Sequence, residues 1–113
     1  MMSYFLRGLL ILALLLPLPA LPQSVTAEGC MALAEAMYSI GIEKTQGKSL
    51  DTAKKEMVSE LKDSPNKVLI PFLNQKITEA YQTKKSPLDF AKDFANECFA
   101  AHGDLSKMTG KGV

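Results

Sequence analysis

The chain holds two cysteines, Cys30 and Cys98, near opposite ends of everything that follows its first apolar run. If they pair, they close a loop of about 69 residues, which the chain-entropy model values at ~4 kcal/mol. That approaches the whole stability expected of a domain this small. Whether two thiols pair depends on compartment, and the first 20 residues bear on that. Met1 to Arg7 carries one positive charge, Gly8 to Leu16 is unbroken apolar sequence, and Pro17 and Pro19 stop any helix. A membrane span takes ~20 apolar residues. The run falls short of this, so it reads as a cleaved secretory signal with no permanent membrane span, and the product as periplasmic or secreted. In an oxidising compartment an even cysteine count reads as a disulfide.

Two small-residue sites compete for the cut. Val25-Thr26-Ala27 has the better spacing of small residues, whereas Leu18-Pro19-Ala20 sits nearer the apolar run. The signal is therefore assigned to residues 1–27, with cleavage after Ala27 or Ala20. Other uses of the cysteines fit less well. A redox pair would lie close in sequence, a metal site would need ligands beyond the single His102, and lipidation would need a small apolar box where Glu28 stands.

From Glu28 onward 12 lysines balance 12 acidic residues, and the only arginine, Arg7, lies in the signal. Bidentate reading of bases or phosphates recruits Arg. A neutral, Arg-free domain therefore argues against a nucleic-acid partner.

The exported part reads as helices throughout, with no convincing period-two alternation. A first helix is expected over about Glu28 to Lys44. Cys30, Leu33, Ala34, Met37, Ile40 and Gly41 share one face, and Glu28, Glu35, Ser39 and Glu43 mark the other. Gly47 then supplies a left-handed stop. Ser49 caps a second helix with Leu50, Ala53, Met57 and Leu61 on its apolar stripe, and Asp63-Ser64-Pro65-Asn66 ends it. A third helix runs to about Thr83 on Leu69, Ile70, Leu73, Ile77, Ala80 and Tyr81, with Pro71 either starting or kinking it. Ser86-Pro87-Leu88-Asp89 opens a fourth helix, whose apolar arc carries Leu88, Phe90, Ala91, Phe94, Ala95, Cys98, Phe99 and Ala101. Gly103 is the natural cap, His102 stands in the last turn, and residues 103–113 are expected to form a disordered tail.

Pairing Cys30 with Cys98 sets the first and last helices side by side and antiparallel. The expected fold is all-α: a small antiparallel bundle of about four helices over residues 28–102, braced by one disulfide.

Little in this sequence can do chemistry. His102 sits at a frayed helix end, where it suits the helix dipole better than catalysis. The clear carboxylates, Asp89 and Asp93 included, fall on solvent faces. No phosphate loop, zinc spacing or calcium loop is present, so no catalytic residue, cofactor or metal is expected. Met31, Tyr38, Phe72 and Tyr81, with Ile42 and Val68, exceed what so small a core can bury. The first four are the candidate contacts for a protein partner.

The order Cys30 with Leu33-Ala34, Gly47-Lys48-Ser49-Leu50, Ala80-Tyr81, Ser86-Pro87 and a last helix ending at Cys98 resembles small exported bacterial proteins with two cysteines and an all-helical fold. That resemblance implies a periplasmic, disulfide-linked helical protein and no particular activity. Acid-stress chaperones of the periplasm and immunity proteins against secreted toxins share the general plan. The expectation is a non-enzymatic, protein-binding exported protein. An acid-stress-type chaperone, a toxin-immunity protein, and a redox or hydrolase accessory are the alternatives.

Overall fold

The computed structural model describes residues 24–108. Most of the expected signal, residues 1–23, and the last five residues of the expected tail lie outside the described residues. Among the described residues four helices form in chain order: α1 over Ala27–Thr45, α2 over Leu50–Leu61, α3 over Ile70–Gln82 and α4 over Pro87–Ala100. Short 3-10 turns cover Pro65–Leu69 and Leu105–Met108. The all-α bundle expected from the apolar spacing is thus the fold observed.

Hydroxyl caps start three of the helices. Thr26 accepts from the Gly29 N–H at 3.1 Å, Ser49 from Thr52 at 3.1 Å and Ser86 from Asp89 at 3.1 Å. Each removes one of the orphan donors that every helix start exposes. The start of α3 has no side-chain cap; it continues from the 3-10 turn, and Pro71 lies in its first turn. Pro71 therefore begins this helix, where its missing N–H costs nothing.

Helix α1 is the centre of the bundle, packed against both α4 and α3, while α2 leans on α3. Its Ala32, Ala34, Ala36, Met37 and Ile40 are all buried. Two contacts set α1 and α4 antiparallel. Cys30 and Cys98 are disulfide-bonded with their Cα atoms 5.7 Å apart, so the bridge joins the first and last helices. Near the other end, a Cβ on Gly41 would lie 2.7 Å from the Pro87 Cβ, so only glycine lets the helices meet there.

Three expectations need correction. The fourth helix buries a narrower stripe than its composition offers: Phe90, Ala91, Phe94 and Cys98 face inward, whereas Leu88 and Phe99 are exposed. This stripe faces α1, and Phe94 on it also meets Phe72 of α3; the flanks that carry Leu88 and Phe99 turn away from both. Glu43, placed on the solvent face of the first helix, is buried and ion-paired to Lys48 at 2.7 Å. The tail is not loose from Gly103 onward. Ser24 and Asp104 form an antiparallel bridge, the Val25 N–H donates to the Gly103 carbonyl at 2.9 Å, and Leu105 and Met108 are buried in the core. A 3-10 turn repeats every three residues, so Leu105 and Met108 project from the same side. The folded unit thus extends past the expected 28–102 at both ends.

Candidate functional site

The most unusual side chain in the bundle is Lys76. It occupies the apolar stripe of α3 between Leu73 and Ala80, next to Ile77, and is 1% exposed. A buried ammonium survives only with its donors satisfied. Here Nζ donates to Glu79 Oε1 at 3.0 Å and to the Met108 carbonyl at 2.9 Å, and it lies 3.9 Å from Glu97 Oε1. It also stands 5.9 Å from the centroid of the Phe72 ring, within cation–π range. Phe72 in turn meets Phe94 edge-on, ring centroids 6.1 Å apart. Lys76 is therefore a clamp: it ties α3 to the docked C-terminal turn. With its ammonium enclosed on these partners, it presents no face to a substrate.

A second polar cluster closes the turn between α1 and α2. Lys48 Nζ bonds Glu43 at 2.7 Å and Glu56 at 2.5 Å. Burial pulls the Lys48 ammonium down, but its bonds to Glu43 and Glu56 outweigh this and hold its pKa above the ordinary lysine value. The Tyr81 hydroxyl donates to the Lys48 carbonyl at 2.8 Å. Burial, reinforced by the charge of Glu43, raises the Tyr81 pKa. Lys44 reaches across to the end of α3, donating to the Thr83 carbonyl at 3.2 Å. These bonds fasten helix ends to one another.

The residues weighed for chemistry stay apart. His102 is exposed beyond the end of α4, and Asp93 is paired with Lys85. Among the described residues no three His, Cys, Asp or Glu side chains are grouped to hold a metal. No arrangement of nucleophile, base and orienting group is assembled around either polar cluster.

The four candidate partner contacts divide in two. Met31 and Tyr38 lie seven residues apart on one face of α1, 49% and 42% exposed. Phe72 and Tyr81 are half-buried and committed internally, the first to Phe94 and Lys76, the second to Lys48. Leu88 and Phe99 on α4 and Val68 on the first 3-10 turn are also exposed. Val68, Leu69, Pro71, Phe72 and Leu105 help line a shallow groove of about 230 Å³.

Sequence reasoning missed Lys76 and Glu79, although a signal existed: the spacing Leu73, Lys76, Ile77, Ala80 puts a lysine on the apolar face. It also missed Leu105 and Met108, two large apolar residues three apart in a polar tail. Among the described residues no helix is long and apolar enough to cross a membrane. No family model matches the chain, and neither does any curated protein or solved structure.

Proposed function

We propose that this chain is an exported protein, periplasmic or secreted, that works by binding another protein rather than by catalysis. The observation that carries this reading is where its surplus apolar side chains lie. Met31, Tyr38, Leu88 and Phe99 stand exposed on α1 and α4, the two helices that the disulfide joins. Large apolar side chains on rigid elements lose little entropy when a partner covers them. The charged groups support the same reading, since the buried ones are spent on holding the fold together.

Capture from the compartment to which the chain is exported, with the disulfide intact, tests the proposal. The double variant Met31→Asp/Tyr38→Asp serves as the control, because both positions are exposed and the fold should survive. Binding is expected to weaken by ~10-fold or more in the variant, with an unchanged melting temperature. A variant that holds the same partner as tightly as the parent would refute a contact through α1. One stoichiometric partner favours an immunity or inhibitor role, and a broad client set favours a chaperone.

A further inference from the structure

We infer that the export signal is removed after Ala20, so that Ser24, Val25 and Thr26 remain as a built part of the mature protein. The inference rests on the export reading above and decides between its two cut sites. A cut after Ala27 would take away three residues that the fold already uses. The Thr26 side chain accepts the Gly29 N–H at 3.1 Å and its carbonyl accepts the Cys30 N–H at 2.9 Å, so it holds the first turn of α1 beside the disulfide. Val25 donates its N–H to the Gly103 carbonyl at 2.9 Å, and Ser24 bridges to Asp104.

The molecule is also shaped around Val25. A Cβ on Gly103 would lie 1.8 Å from the Val25 carbonyl oxygen, and one on Gly29 would lie 2.9 Å from the Val25 Cβ. Two glycines thus leave room for a residue that the later cut would discard. That cut would also put a new ammonium at Glu28, on the positive end of the α1 dipole. The Leu18-Pro19-Ala20 site offers a small residue at the cut, just past the apolar run and its prolines, although its small-residue spacing is the poorer of the two. Ser24 and Val25 then form one strap with Gly103 and Asp104 across the end of the bundle that carries Cys30 and Cys98.

The test is to express the full chain in a secreting bacterium and read the exported product by intact mass and N-terminal sequencing. The expected first residue is Leu21. A start at Glu28, or at any other residue beyond Met1, overturns this site and leaves export standing. A retained chain that still begins at Met1 overturns both. Two variants add an independent readout: Ala20→Lys is expected to abolish processing and Ala27→Lys to leave the cut at Leu21. Normal processing of Ala20→Lys, or loss of processing in Ala27→Lys, counts against the inference.

Discussion

Helices α1 and α4 end in the same hydrogen-bond pattern, yet they place different residues in it. After α1, Gly47 N–H reaches the Lys44 carbonyl at 3.1 Å and Lys48 N–H reaches Glu43 at 3.0 Å. After α4, His102 N–H reaches Phe99 at 3.0 Å and Gly103 N–H reaches Cys98 at 2.9 Å. Both are Schellman endings, in which the turning residue adopts a left-handed backbone that glycine accepts most readily. Gly47 fills that place at the first end with φ 95°, and at the second His102 does so with φ 53°. The glycine at the second end is displaced by one position. Gly103 is needed where the Val25 carbonyl crosses the chain, and it too has a positive φ, 77°. At the first ending the turning glycine stands in open space, whereas the second ending is crossed by the Ser24–Val25 segment from the other side of the sequence.

The comparison breaks most sharply at the two glycines. Gly103→Ala should be the most damaging, because its Cβ would collide with backbone and its φ is unfavourable as well. A loss on the order of 2–4 kcal/mol is expected in urea unfolding, from strain and overpacking together. Gly47→Ala meets nothing within 4 Å. It should lose only the conformational term, about 1 kcal/mol. Equal losses at the two sites would show that the strap contributes nothing. His102→Gly relieves the left-handed histidine and should raise stability by ~0.5–1 kcal/mol, as a small rise in melting temperature.

The smallest effect separates the two ends by pH. Hydrogen bonds from Ser106 hold Asp104 below the ordinary carboxylate range. A depressed folded pKa gives stability that is present above the unfolded pKa and lost as pH falls through the folded one. The melting-temperature gap between the parent and Asp104→Asn should therefore close in acid. At the α1 end the signs reverse, because the Lys48 and Tyr81 pKa values are raised. Stability from that turn is present below their unfolded values and lost as pH rises beyond them, so Tyr81→Phe should approach the parent only in strong base.

Helix positions were legible wherever the signal was local. Ser49, Ser86-Pro87 and Gly47 each act within about four residues, and each stands where its chemistry placed it. The disulfide was legible for a different reason, since two cysteines leave one intramolecular pairing. Burial was harder to read when it depended on a neighbour. Leu88 and Phe99 look as apolar as Phe90 and Phe94, but only the second pair lies on the stripe that the rest of the bundle buries. Lys76 looks like a surface residue until Glu79 and the Met108 carbonyl come within reach. Of the four candidate contacts, Met31 and Tyr38 are exposed because they lie away from the packed faces of α1. Phe72 and Tyr81 are turned to internal partners that no spacing rule could supply.

The sequence by itself determined the helices, the capped starts of α2 and α4, the antiparallel pairing of the first and last, and the bridge between them. These follow from short-range periodicity, caps and cysteine arithmetic. Tertiary structure decided how Ser24 and Val25 meet Gly103 and Asp104, why a lysine sits in the core, and which apolar side chains stay outside. Those outcomes depend on groups far apart in the chain, such as Val25 with Gly103 and Lys76 with Met108, whose contact is worth something only once the bundle has brought them together.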